Sequence, residues 1–157
     1  MFCAPEISHL EFTKRAEDQV IPYDLLLLAD ESIPAINSYI HFCEIYRIKI
    51  SAEIIGVCAI QRLDSKSLEI KNLALIEAYR NSGIGAWCIQ QLEAHFSSQF
   101  LFVATGDASF AALRFYERNG FKRSSIRRNF FLDNYEQAIF ENGIQLKDQI
   151  LLRKRVS

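Results

Sequence analysis

The chain has 157 residues, half of them apolar and 24% charged, with a formal net charge of −1. That length suits one domain with a real core and leaves little room for a second. The near-neutral balance argues against a general nucleic-acid binder, and no apolar run approaches the ~20 residues of a membrane span. The opening residues Met1-Phe2-Cys3-Ala4-Pro5-Glu6 lack a charged region followed by an apolar stretch, so no secretory leader is expected. The four cysteines (Cys3, Cys43, Cys58, Cys88) form no C-x-x-C pair, and His9, His41 and His95 show no ligand spacing. Reduced core thiols in a cytoplasmic protein are expected, and no metal site.

In chain order, residues 7–14 read as a first strand. Pro22 opens a helix running to Asp30, with proline suited to the first turn. A second short helix is expected from Ser32 to Tyr39, with Ser32 as N-cap and Pro34 in the first turn. Residues 42–50 and 53–63 are rich in Ile, Val, Tyr and Phe, and the Ser51-Ala52 gap predicts a hairpin. Asp64-Ser65-Lys66-Ser67 is a polar turn into a third strand, residues 68–75. A helix follows from about Gly83, with Ile84, Cys88, Leu92 and Phe96 at fourfold spacing and Trp87 beside them. Phe100 to Ala104 is a continuous apolar run, as expected of a strand buried on both faces. A further helix, residues 109–119, ends at Gly120, which supplies a left-handed cap with Phe121 as its apolar contact. Two last strands are expected near residues 124–131 and 149–152.

The segment Arg80-Asn81-Ser82-Gly83-Ile84-Gly85 lies between a strand and a helix. The first amides of a helix have no intrahelical partner, and the helix dipole adds positive charge there. Glycine lets the backbone approach a phosphate closely. Such a loop predicts a phosphorylated small-molecule ligand. A dinucleotide fingerprint would need a third glycine where Cys88 stands, and a Walker loop would need Gly-Lys-Ser/Thr where Gly85-Ala86-Trp87 stands. Both fail.

Three pieces in order carry a resemblance. They are the strand Glu69-Ile70-Lys71-Asn72-Leu73-Ala74-Leu75, the loop Arg80-x-x-Gly83-x-Gly85, and Ala112-x-x-Phe115-Tyr116-x-x-x-Gly120-Phe121. Together they resemble the GNAT superfamily of acetyl-CoA-dependent N-acetyltransferases. The tail Phe140-Glu141-Asn142-Gly143-Ile144-Gln145, with Asp148 beyond it, is similar to a small bacterial subgroup of it. The family often has Asn where Ser109 stands; a small polar cap keeps that role.

The resemblance implies an α/β (α+β) fold and one N-acetyltransferase domain over residues 1–157. Its mixed, mostly antiparallel sheet would have six to seven strands, helices on both faces and a splay between the strands near 69–75 and 100–105. It implies acetyl-CoA as cosubstrate and no metal. Pantetheine would run along the main chain of Leu73, Ala74 and Leu75, with the amide near Leu75 polarising the thioester carbonyl. The diphosphate would sit on the amides of Asn81, Ser82, Gly83, Ile84 and Gly85, and on Ala86. Arg80 would either add charge or brace the loop.

Tyr116 would be the general acid for the leaving thiolate; its alternative is a core tyrosine. Glu69 would be the general base; its alternatives are a solvated strand-edge glutamate with no catalytic role, or a water relay through Asn72 and Asp107. The acceptor pocket would draw on residues 22–42 and on Phe130-Phe131. Asp24, Asp30, Glu31 and Glu44 would suit a cationic amine there, or are plain surface carboxylates. The partners implied are a small-molecule or peptide amine, neither nucleic acid nor membrane, and a homodimer. A binding protein that holds acyl-CoA without turnover is the other reading. The basic residues Lys122, Arg123, Arg127, Arg128, Arg153, Lys154 and Arg155 read as solvated faces, or as neighbours of the CoA 3′-phosphate.

Overall fold

The structure is a computed structural model that describes residues 9–156. Cys3, the N-terminal segment in which no leader was expected, and the first two residues of the expected opening strand lie outside the described residues.

The elements run β1 (Leu10–Lys14), α1 (Tyr23–Leu26), α2 (Ile33–Asn37), β2 (Glu44–Ile50), β3 (Glu53–Arg62), β4 (Ser67–Leu75), α3 (Ile84–His95), β5 (Phe100–Gly106), α4 (Phe110–Arg118), β6 (Lys122–Arg127), α5 (Phe130–Asn134), β7 (Phe140–Glu141), β8 (Ile144–Gln145) and β9 (Gln149–Arg155). The order in the main sheet is β1-β2-β3-β4-β5-β9-β6, with β7-β8 as a separate ribbon. This is the mixed α/β fold expected, with seven strands in a mostly antiparallel sheet. The chain divides into two compact units. One holds the residues up to Arg62 together with Ile70–Ser97; the other holds Leu63–Glu69 and the residues from Ser98 onward.

In the first unit, β2 and β3 form the expected hairpin, Ile50 opposite Glu53. Its two turn residues, Ser51 and Ala52, both take positive φ, at 48° and 69°. A two-residue hairpin turn needs this hand to match the strand twist. The register then slips: Ile48 faces Gly56 and Lys49 faces Ile54, leaving Ile55 as an extra residue. Such a bulge breaks the side-chain alternation. Val57 and Ala59 accordingly join Leu25, Leu26, Ile36, Ile40, Ile45 and Ala74 in a core under α1 and α2. Ile55 joins Leu10, Ile48, Ile84, Trp87 and Cys88 in a second core under α3. Helices therefore cover both faces of this part of the sheet. Gly56 faces β4 closely: a Cβ there would lie 2.5 Å from the Ala74 carbonyl oxygen.

Pro22 is the N-cap of α1 rather than its first helical residue, and α1 is shorter than expected. Ser32 caps α2 as expected, its hydroxyl accepting from the Ala35 amide at 3.2 Å. The predicted stripe on α3 is buried at Ile84, Cys88 and Leu92, with Trp87 and Phe96 almost as covered.

In the second unit, β9 is paired antiparallel with both β5 and β6. The expected strand over 124–131 is corrected: β6 ends at Arg127, Asn129 turns left-handed at φ 58°, and Phe130-Phe131 open a short helix. A left-handed residue cannot continue a strand, and the Asp133 amide donates back to the Asn129 carbonyl at 2.9 Å.

Candidate functional site

The loop between β4 and α3 is built from local bonds. A 3-10 turn over Glu77–Tyr79 follows β4. The Ser82 hydroxyl donates to the Tyr79 carbonyl, and Arg80 Nε donates to the Leu75 carbonyl at 3.1 Å. Arg80 thus ties the loop to the end of β4, which gives the bracing role a physical basis. Asn81 and Gly83 both take positive φ, 56° and 85°. Gly83 is the N-cap of α3, and nothing lies within 4 Å of a Cβ placed on it. Its requirement is conformational, not steric.

The first ladder bond of α3 runs from the Trp87 amide to the Gly83 carbonyl at 3.1 Å. The amides of Ile84, Gly85 and Ala86 therefore lie ahead of the ladder, where the helix dipole is positive. Asn81 and Gly83 are exposed, and Ser82, Gly85 and Ala86 are half-buried. The predicted residues 81–86 thus form one helix-end cradle with donors free of the helix. That donor set fits a diphosphate.

On β4, Leu73 and Leu75 pack toward the α3 core while Ala74 joins the α1–α2 core. Asn72 is buried at 4% exposure. Its Nδ2 donates to the Leu26 carbonyl at 2.9 Å and to the Tyr39 hydroxyl at 3.2 Å. The Tyr39 hydroxyl donates on to Asp30 Oδ2 at 3.2 Å. Burial, with Asp30 nearby, pushes the Tyr39 phenol well above its ordinary range. Sequence reasoning missed Tyr39, because an aromatic at the end of a short helix carries no signal for a polar chain. Asp24 and Glu31 are exposed, and Glu44 pairs with Lys14 and Arg62, each at 3.1 Å.

In the second unit, Tyr116 is 8% exposed, on α4. The helix ends in a Schellman motif: the Phe121 amide bonds to the Tyr116 carbonyl at 3.0 Å and the Gly120 amide to the Glu117 carbonyl at 3.2 Å. Gly120 has φ 93°, as this cap needs. The Phe121 ring lies edge-on to Tyr116, 5.4 Å between centroids, with Phe115 on Tyr116 at 5.0 Å. The ring is thus held by two aromatic neighbours and the cap.

Glu69 is not a solvated edge residue. It is 4% exposed, and Arg127 Nη2 lies 3.6 Å from its carboxylate. Arg127 had read as part of a solvated face; it is instead the partner of a buried acid. Arg123 pairs with Glu117 at 3.1 Å and Arg128 with Asp148 at 3.6 Å.

One further expectation is corrected. Ser109 is the N-cap of α4 but its side chain makes no capping bond; it is buried against Gly106, where a Cβ would lie 2.7 Å from its Oγ. The Asp107 carboxylate accepts from the Lys147 and Asp148 amides, each at 3.2 Å, and so clamps that loop. Cys58 and Cys88 are buried and free; burial raises both thiols, Cys88 to about 12. Among the described residues no group of three or more His, Cys, Asp or Glu side chains could hold a metal ion.

Comparison with known proteins bears on the same residues. The Acetyltransferase (GNAT) family model matches residues 8–121. The uncharacterized N-acetyltransferase YvbK of Bacillus subtilis is 31% identical over 146 residues, covering 91% of this chain and 93% of the relative. A GNAT family acetyltransferase from Elizabethkingia anophelis, solved with acetyl-CoA bound, has a TM-score of 0.87 at 37% identity, covering 94% of this chain and 98% of its own. An IAA acetyltransferase from Bacillus cereus superposes with a TM-score of 0.84 at 32% identity, covering 93% and 99%. The match takes in all three motifs, the β4 strand, the glycine cradle and the Tyr116 helix, and so the chain belongs to the acetyltransferase (GNAT) family and is an acyltransferase.

Proposed function

We propose that this chain is a single-domain N-acetyltransferase that moves an acetyl group from acetyl-CoA to a primary amine by direct attack in a ternary complex. The observation that carries this reading is the run of amides at Ile84, Gly85 and Ala86, ahead of the first ladder bond and beside a left-handed Gly83. Bound acetyl-CoA supplies an activated acetyl thioester. The residues of the chain do the rest. Amides at Asn81–Ala86 hold the diphosphate, braced by the Arg80 bond to Leu75. The main chain of Leu73, Ala74 and Leu75 holds the pantetheine arm, with the Leu75 amide as donor to the carbonyl oxygen. Orientation of the two substrates supplies much of the rate.

Tyr116 donates its proton to the departing thiolate. A phenol with a reference pKa of about 10 is matched to that transfer at neutral pH. Glu69 takes the proton of the incoming ammonium, directly or through water, and Arg127 holds its carboxylate in place. A water relay through Asn72 and Asp107 is the alternative route for that proton. The reading includes a cytoplasmic homodimer, and no helix among the described residues is long and apolar enough to cross a membrane.

Thiol release from acetyl-CoA against a panel of alkylamines, polyamines, aminoglycosides and peptides is the test. Amine-dependent release that falls at least tenfold in Tyr116→Phe supports the reading. CoA binding without turnover on any amine points to the non-catalytic acyl-CoA sensor instead.

A further inference from the structure

Asn72 presents an anomaly that the fold does not explain. It stands on a buried face of β4 next to Ala74, where an apolar residue would suit the core. Both hydrogens of its amide nitrogen are used, on the Leu26 carbonyl and the Tyr39 hydroxyl. The Leu26 carbonyl can only accept, so the nitrogen must face it and the orientation of the amide is fixed. That leaves Oδ1 buried and without a hydrogen-bond partner. A buried carbonyl oxygen in this state lowers stability unless it meets a donor.

The chain behind that oxygen has a direction. The Asn72 amide donates to Tyr39, and Tyr39 donates to the Asp30 carboxylate. Each donated bond pushes electron density back along the chain, so Asp30 makes Asn72 Oδ1 a stronger acceptor than an isolated amide. The oxygen therefore suits a donor of the N–H type. Its position on the strand is also specific: Asn72 is the residue next to Leu73, where the stretch assigned to the pantetheine arm begins.

We infer that Asn72 Oδ1 registers the acceptor: it takes a hydrogen bond from the nucleophilic nitrogen of a primary amine, directly or through one water, and Tyr39 and Asp30 are positioning residues that fix the amide for it. The inference rests on the acetyltransferase reading above for the identity of the ligand. A neutral primary amine has two N–H donors and one lone pair. Engaging one N–H on Asn72 restricts the directions open to the lone pair and favours nitrogens that carry hydrogen.

The test has two arms. In the first, the Asn72 side-chain amide signal of the CoA-saturated protein, identified by its loss in Asn72→Asp, is followed by NMR during titration with n-butylamine and then with butyltrimethylammonium, a cation without N–H. Movement with the first and not the second is expected. No movement with butylamine, or equal movement with both, overturns the inference. In the second arm, Asn72→Leu and Asn72→Asp raise KM for the amine at least tenfold while KM for acetyl-CoA stays within twofold. Tyr39→Phe, which leaves the oxygen in place but loosens it, has a smaller effect in the same direction. An unchanged amine KM, or equal rises in both constants, overturns it. If no amine is acetylated by the unaltered protein and the Asn72 signal still answers butylamine alone, the catalytic reading fails and the amine site stands.

Discussion

Tyr116 shows how a residue's role depends on what holds it. Its ring is packed between Phe115 and Phe121, and its carbonyl closes the Schellman cap. Tyr116→Phe keeps all of that and removes only the hydroxyl. We expect kcat to fall about 100-fold, within the usual range for a lost proton donor, with KM for acetyl-CoA within twofold; steady-state kinetics that show an unchanged kcat would remove Tyr116 from the mechanism. The placement of this ring was legible, because Gly120-Phe121 is a local cap signal. The environment of Glu69 was not. Its partner Arg127 comes from a distant strand, and no local pattern announces that ion pair. The buried thiols give a prediction with a definite sign. Cys88 is raised from 9.0 to about 12, so the native state keeps its proton while the unfolded chain loses it. Stability is fully present below pH 9 and declines as pH rises toward 12, by about 1.4 kcal/mol per unit from this group. Urea midpoints measured from pH 8 to 11 that stay level would contradict it.

The elements were legible wherever local chemistry decides them. The Ser32 cap, the one-sided α3 and the β2–β3 hairpin all follow from short-range pattern. The hairpin turn is nonetheless made by Ser51-Ala52, residues with no special preference for positive φ. Ala52, at φ 69°, carries about 1–2 kcal/mol of strain. Ala52→Gly relieves it against a smaller entropic cost, and we expect a gain of about 0.5–1 kcal/mol in denaturant unfolding. The β7–β8 ribbon is turned by Asn142-Gly143, both at positive φ. That pair is a strong hairpin signal which the sequence reading took only as part of a family tail. The bulge at Ile55 had no such signal, yet it decides which core β3 faces. Gly56 beside it has no room for a Cβ against β4. Gly56→Ala would put a methyl 2.5 Å from a backbone oxygen, and backbone cannot step aside as a side-chain end can. We expect a loss of about 1–3 kcal/mol by the same assay, typical of overpacking; a neutral result would mean that β4 shifts freely.

At the scale of the whole molecule, the fold class and the family could be read from three separated motifs, because each is a physical device. A strand supplies main-chain groups, a helix end supplies unpaired amides, and a capped helix supplies a phenol. For the acceptor side the sequence offered only a range, residues 22–42 with Phe130-Phe131, and no motif. The polar chain through Asn72 and Tyr39, which we propose serves the acceptor, is set by packing between β4 and the residues around α1 and α2. The account as a whole requires that the helix-end cradle at residues 81–86 bind a diphosphate. Calorimetric titration with CoA and with pantetheine, which lacks the 3′-phospho-ADP half and with it the diphosphate, sets the upper bound on that contribution, and the same pair measured on a cradle variant isolates the share owed to these amides. Charge-assisted bonds to several amides are worth about 1.5–3 kcal/mol each, so CoA is predicted to bind at least about 100-fold more tightly than pantetheine. Gly83→Val, which puts a β-branched residue at φ 85°, should erase most of that difference. Equal affinity for the two ligands in the unaltered protein would contradict the account.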